Sequence, residues 1–354
     1  MPILGNYLIE ASDDGLLVSA TDLDKAISVR VTAEIADQGR VSVHAPQLRD
    51  LVGSLGSGSI ELSRGKGPDT LDVVHGATRA HVRGNNPDDF PPLKRSLESG
   101  TVLRLESSIL RDAIERVVIA AASDDSRPVL AGVQLHAVDD TLSLAAADGF
   151  RMSVQRINLA QRVESPVTII VPARALRELV RVLPDSASVV ELTVSVNATQ
   201  LLVTLDGVWL TTRLIDGTFP DLQQIIPREW TTRTVVRREE LLDAARRAAI
   251  FARNSNDVVR IEVIAADGDL AMGQVVLTGN AADTGDIRDD LEAQVEGGGL
   301  QIAFNGRYLQ DVLGVLKTAS VAFELQGPNA AGIIRAEADD QFTHVIMPMV
   351  IGAG

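Results

Sequence analysis

The chain has 354 residues, of which 33 are basic and 48 acidic, giving a formal net charge of −15, and it contains no cysteine. That length is too great for one ordinary core and suits two or three domains, while the lack of thiols excludes a disulfide framework and a thiolate metal centre. The acidic balance excludes a protein that grips phosphates tightly, because such binding needs an excess of Lys and Arg, yet it leaves room for loose contact through a few arginines.

In chain order, "PILGNYLIEASDDGLLVSATDL" reads as strands broken by turns, and "VSVHAP" is a strand leading into an apolar stripe at Leu48, Leu51, Val52 and Leu55. That i, i+3, i+4, i+7 spacing predicts a short amphipathic helix. A second helix is predicted where Leu110, Ile114, Val117, Val118 and Ala121 share one face, with Ser107 or Ser108 as its N-cap. "PVLAGVQLHAVDDTLSLAAADG" then echoes the first segment: Pro2 matches Pro128 and Asp22 matches Asp148, both 126 residues apart.

The strand-then-helix pattern returns in "VTIIVPA" with Leu176, Leu179, Val180 and Leu183, and in "LQIAFNG" with Leu309, Val312, Leu313 and Leu316. Between these lies "LLVTL-DG-VWLTT", where Asp206 and Gly207 fit a two-residue hairpin turn. Leu241, Ala245, Ala248, Ala249 and Ala252 repeat the second helix face at a constant offset of 131.

Self-similarity of this order defines three units starting near residues 1, 102 and 231, so domains are expected at 1–100, 101–229 and 230–354. The second unit runs through a strand and a helix before Pro128, whereas the first begins at Pro2, about 26 residues further into the pattern. A mis-assigned start or a truncation is the expected reason, and an apolar patch is expected where that helix would pack.

The histidines (His44, His75, His81, His136 and His344) show no metal-ligand spacing, so neither metal nor cofactor is expected. "SRGKGPD" has a Gly-Lys pair without the rest of a phosphate-binding loop, and Asp148-Gly149 reads as turn chemistry rather than a general base. No catalytic site is expected. No stretch approaches the roughly 18 apolar residues of a membrane span, and the start "MPILGN" lacks a signal-peptide pattern. A cytoplasmic, nucleoid-associated location without membrane contact is the expectation.

"SRPVLAGVQLHA", "AAADGFRMSV", "VPARALRELVRVL", "DGTFPDLQQIIP", "FNGRYLQDVLGVL" and "THVIMPMVI" follow one another in that order, after "GNYLIEA", "ATDLDKAISVRV" and "NNPDDFPPL". Together they closely resemble the bacterial DNA polymerase III beta subunit, the sliding clamp. The resemblance implies an α+β clamp fold of three tandem domains with antiparallel sheets outside and two helices inside, the first domain lacking its first strand and helix. It also implies a head-to-tail homodimeric ring around duplex DNA without sequence specificity, a non-catalytic role in processivity, and partners that include the replicative polymerase and the clamp loader. A clamp-like scaffold without a replication role is the alternative.

By the same resemblance, a partner-peptide pocket falls on Leu130, Gly149, Phe150, Arg151, Met152, Pro220, Gln224, Ile225, Asn305, Tyr308, Val345, Ile346, Met347, Pro348, Met349, Val350 and Ile351. Its methionines suit varied apolar ligands, and Arg151, Asn305 and Tyr308 are expected to orient a peptide by hydrogen bonds. Arg127, Pro128, Val129, Arg174, Arg177, Arg181, Arg246 and Arg253 are expected to face DNA. The edge strand "GATRAHVRG", with Arg79, Ala80 and Val82, is expected to meet Ile250, Phe251, Asp283 and Asp286 of a second copy. The chain departs from the family pattern at Gln224 and Val350, where basic residues are common, and at Pro128 and Val129, where tyrosines are.

Overall fold

The computed structural model describes residues 2–350, apart from 68, 125, 254, 267–271, 282–284 and 338. The chain opens with β1 (Asn6–Ser12), β2 (Gly15–Thr21), β3 (Lys25–Val31), β4 (Gly39–His44), α1 (Ala45–Ser54), β5 (Glu61–Arg64), β6 (Thr70–His75) and β7 (Thr78–Asn85). It continues with β8 (Gly100–Glu106), α2 (Ser107–Val118), β9 (Gly132–Val138), β10 (Thr141–Ala147) and β11 (Arg151–Asn158). Next come β12 (Val167–Pro172), α3 (Ala173–Val182), β13 (Val189–Ser195), β14 (Gln200–Leu205) and β15 (Val208–Arg213). The last stretch holds β16 (Thr232–Arg237), α4 (Arg238–Ala252), β17 (Val258–Ile264), β18 (Gly273–Ala281), β19 (Gly285–Gly297) and β20 (Leu300–Asn305). It closes with α5 (Gly306–Val315), β21 (Ser320–Leu325), β22 (Gly332–Ala336) and β23 (Phe342–Ile346).

Strand, helix, four strands, helix, three strands: that order appears from β8 to β15 and again from β16 to β23. The opening stretch, β1 to β7, follows the same order from its third element onward. All three strand-then-helix pairs read from the sequence are present, as β4–α1, β12–α3 and β20–α5. Asp206 and Gly207 form the two-residue turn, with Leu205 opposite Val208.

The chain divides into two compact units, one formed by residues 1–107 with 182–214 and the other by 108–181 with 215–354. Each contains one sheet. The first unit's sheet runs β5-β6-β7-β4-β1-β2-β3-β15-β14-β13-β8, and the second's runs β12-β9-β10-β11-β23-β22-β21-β16-β19-β18-β17-β20. Every pairing is antiparallel, and with five α-helices among the described residues the class is α+β, as expected.

Packing explains the composition. In the second unit the alanine face of α4 (Ala244, Ala245, Ala248, Ala249 and Ala252) lets the helix sit almost on the sheet backbone. A Cβ at Gly279 of β18 would lie 2.2 Å from the Ala248 carbonyl oxygen, so only glycine fits there. Leu309, Val312 and Leu313 of α5 fill the same core with Phe304 and Phe342. In the first unit, Ile9, Val41, Val43, Leu48, Leu71, Val73 and Val82 form a smaller aliphatic cluster. There α1 fully buries only Leu48 and leaves Val52 exposed. One predicted cap differs. Ser107 is fully buried, and its hydroxyl donates to the Pro184 carbonyl at 2.9 Å, tying the α2 start to a neighbouring loop.

Candidate functional site

The β10–β11 connection is a tight turn built on Asp148. One carboxylate oxygen accepts from the backbone N–H groups of Phe150 (2.9 Å) and Arg151 (3.0 Å), as Asx turns do. Gly149 between them has φ +98°, and a Cβ there would press to 3.0 Å from an Arg127 guanidinium nitrogen. The turn therefore requires glycine. It thrusts Phe150 outward, 60% exposed, while turning Arg151 inward.

Arg151 is the hub of the second unit's polar site. Its Nε donates to Asp148 at 3.1 Å and its Nη1 to Asp311 of α5 at 2.6 Å. Its guanidinium carbon lies 4.1 Å from the centroid of the Tyr308 ring. A desolvated stack of this kind contributes about 1–2 kcal/mol. Burial, then the Asp148 charge, raises the Tyr308 pKa, so the phenol stays a neutral donor and acceptor at physiological pH.

These groups border a cavity of about 440 Å³, lined also by Val118, Ile119, Ala121, Ala122, Ser123, Asp124, Arg127 and Arg177. Four of the residues singled out from sequence thus converge here: Phe150, Arg151 and Tyr308 from the expected pocket, and Arg127 from the expected DNA-facing set. A fifth, Arg177, also from the expected DNA-facing set, is exposed, borders the cavity and donates to the Val118 carbonyl at 3.1 Å. Asp148 and Asp311, which hold Arg151, were not picked as site residues. Asp148 read as turn chemistry, which it also performs, and Asp311 looks like any exposed helical acid.

The apolar members of the expected pocket are distributed differently. Met152, Val345 and Ile346 are buried, Met152 and Val345 in a cluster with Phe219 and Leu222 against which Leu130 packs. They form the wall beneath the site rather than its surface. Around them Ile225 is 49% exposed and Met347 44% exposed, while Pro220 and Gln224 are exposed. Gln224 donates to Asp221 at 2.8 Å. Asn305 has a structural role of its own. Its side-chain oxygen caps α5 by accepting from Arg307 N–H (2.9 Å) and Tyr308 N–H (3.4 Å), so it sets the helix that carries Tyr308.

After β23 the chain is stitched down by two backbone bonds. Met347 N–H donates to the Phe150 carbonyl and Met349 N–H to the Ala303 carbonyl, both at 2.8 Å. Pro348 and Met349 are half-buried and Val350 is exposed; Ile351 lies outside the described residues.

Of the other expected DNA-facing residues, Arg174, Arg181, Arg246 and Arg253 are exposed on or at the end of their helices, with Arg181 paired to Glu178 and Arg246 to Asp243. Pro128 is exposed, whereas Val129 is half-buried against the Met152 cluster.

Besides the strands that end each sheet, β7 and β19 are only partly paired on one side. Strand β7 pairs with β6 along its length but with β4 only through Gly84 and Asn85, leaving residues 78–83 with an unpaired backbone edge. Strand β19 pairs with β18 over 285–293 but with β16 only through Gln294–Gly297. Arg79, His81 and Arg83 point outward on β7, whereas Ala80 and Val82 turn into the first unit's own core. Neither apolar side chain is therefore offered outward, since alternation along a strand puts both on the inner face. On β19, Asp286, Asp290 and Glu292 are exposed, and Arg247 of α4 clamps Asp289 with two bonds of 3.0 Å. Ile250 is 60% exposed and Phe251 half-buried at the end of α4; Asp283 lies outside the described residues.

The chain matches three family profiles in succession: the N-terminal domain of the DNA polymerase III beta subunit at residues 1–94, its central domain at 104–221 and its C-terminal domain at 223–350. A beta sliding clamp from Synechocystis is 30% identical, the match covering 98% of this chain and 92% of that protein. The crystal structure of a DNA polymerase sliding clamp from Bacillus subtilis superposes with a TM-score of 0.86 at 25% identity, covering 99% of this chain and 92% of that one. A DNA polymerase III beta subunit from Thermotoga maritima gives the same TM-score at 26% identity, again covering 99% and 92%.

Proposed function

Because the chain belongs to the bacterial DNA polymerase III beta subunit family, the sliding clamps, and is thus a non-catalytic processivity factor of DNA replication, we propose how its own residues perform that task. It closes into a head-to-tail ring of two copies around duplex DNA. The observation that carries this reading is the pair of open edges of opposite charge. Residues 78–83 of β7 present Arg79, His81 and Arg83, and residues 285–293 of β19 present Asp286, Asp290 and Glu292 beside one cation, Arg288, which pairs with Asp290.

Long unpaired edges invite pairing, and one strand from each copy would extend both sheets with a continuous ladder. Exposed ion pairs across such a seam are worth only about 0–1 kcal/mol each, so the backbone ladder and burial of Ile250 supply the stability while charge sets the register. The three successive profile matches support domains at 1–100, 101–229 and 230–354.

Enclosure removes the need for tight phosphate contact. A chain of net charge −15 is poorly suited to gripping DNA, but a ring is retained topologically, and Arg174, Arg181, Arg246 and Arg253 give weak, sequence-independent contact that permits sliding. Polymerase and clamp-loader tails dock as short peptides at Phe150, Tyr308, Ile225, Met347 and Met349, over the Met152–Val345 wall. Tethering on the ring then holds the polymerase at high effective concentration near the primer end. The protein acts in the cytoplasm at the nucleoid; no described helix is long and apolar enough to cross a membrane.

Retention on DNA tests the proposal. Loaded onto nicked circular DNA, the protein stays bound through gel filtration at high salt, and linearising the DNA releases it. Equal loss from circular and linear DNA overturns enclosure.

A further inference from the structure

Among the described residues that line the site cavity, Arg177 is the arginine without an ion pair. Arg151 is saturated by Asp148 and Asp311, and Arg127 faces Asp124 at 3.9 Å. Among the described residues Arg177 makes no ion pair; its Nη2 donates to the neutral Val118 carbonyl. A guanidinium carries five N–H donors in a planar fork that matches a carboxylate, and one carbonyl uses little of that capacity. Arg177 is exposed at the border of the cavity, and partial burial, then the like charge of Arg151, lowers its pKa.

The cavity is continuous with the proposed peptide cleft, because Phe150 and Tyr308 border it. Resting on that reading of the cleft, we propose that Arg177 is an anion subsite of the partner site and receives a carboxylate of the docked peptide, either an Asp or Glu side chain or the C-terminal carboxylate. A DNA phosphate fits the cavity less well. Asp124, Asp148 and Asp311 share the space and repel a polyanionic backbone, whereas one carboxylate on a peptide anchored by apolar contacts approaches Arg177 alone. The subsite would make this clamp discriminate among partner tails by charge.

Calorimetry on the full-length protein with eight-residue peptides tests this. The peptides carry Leu and Phe anchors and a single Asp moved through every other position with an amidated C-terminus; each Asp peptide has an Asn twin, and one all-Asn peptide keeps its free C-terminal carboxylate. At least one carboxylate peptide binds the wild type about tenfold more tightly than its neutral twin. Which one it is identifies the source of the carboxylate. Arg177→Gln brings that ratio close to one, and Arg177→Lys keeps part of it. Equal binding of all twins by the wild type, or an unchanged ratio in Arg177→Gln, overturns the subsite while the cleft stands. An Arg177→Gln protein with an intact ratio but weaker, salt-dependent DNA association assigns the residue to DNA and overturns it too. If no peptide binds, or Tyr308→Ala leaves binding untouched, the cleft itself is wrong.

Discussion

The guanidinium of Arg151 lies over the ring of Tyr308, 4.1 Å from its centroid, while its two edges are held by Asp148 and Asp311. One side chain thereby fixes a turn of the sheet and the first turn of α5 to each other. Replacing Arg151 with Met leaves two carboxylates without their cation and removes the stack. Because Asp311 is partly solvated, the expected loss is about 2 kcal/mol, read from the urea midpoint, together with weaker peptide binding as Tyr308 loses its fixed position.

Surface members of the cleft should dominate partner affinity. A polymerase-tail peptide is expected to bind at micromolar strength. Tyr308→Ala and Met349→Asp each lower that affinity by about tenfold or more, as measured by fluorescence anisotropy, because each removes a contact at the cleft surface. Met152→Ala acts differently. Its side chain is 3% exposed, so the change costs about 2–4 kcal/mol of folding stability before it touches binding.

Ring closure has its own signature. Ile250→Asp alters a side chain that is exposed in the single chain, so thermal stability at high dilution changes by no more than about 0.5 kcal/mol. Sedimentation at micromolar concentration should nonetheless shift from dimer to monomer. Arg79→Glu weakens the dimer by a smaller amount, and added salt narrows the difference from wild type.

His344 makes stability sensitive to acid. The residue is fully buried, its Nδ1 bonds to the Ser153 hydroxyl at 2.8 Å, and its Nε2 has no partner among the described residues. Burial, and secondarily the charge of Arg151, lowers its pKa to about 3. Between that value and the ordinary histidine pKa the unfolded chain binds a proton that the folded chain refuses. Stability is therefore full above roughly pH 6.5 and falls as the pH drops towards 3. From pH 7 to pH 5 this one group accounts for about 2 kcal/mol. His344→Gln, compared with wild type by urea unfolding at both pH values, loses that part of the acid sensitivity.

Much of this architecture could be read from the chain. The stripes at Leu48, Leu176 and Leu309 each mark a real helix, and their recurrence after a strand exposes the repeated order of elements. The cleft was legible only in part. Met152, Val345 and Ile346 are apolar residues of strands, a pattern that does not distinguish a pocket wall from a core, and here they are buried. Arg177 occupies a helix face that reads as solvated, and it is exposed; the linear pattern does not show that α3 brings it to the border of the cavity beside Arg151 and Tyr308. The resemblance puts Asn305 in the cleft, and its side-chain oxygen is used to cap the start of α5. Such outcomes depend on what packs opposite a face, and a linear pattern records only the face itself.

The two bonds that fasten Met347 and Met349 reach different strands, one by the Phe150 turn and the other on β20. Anything that drags on the tail, such as a purification handle or a fluorescent fusion appended behind it, would loosen both anchorages together and distort the mouth of the proposed peptide cleft. A label placed there would mimic a defective partner interaction in a perfectly folded protein. Reporters belong on an outward loop of the first unit, far along the chain from these fastenings.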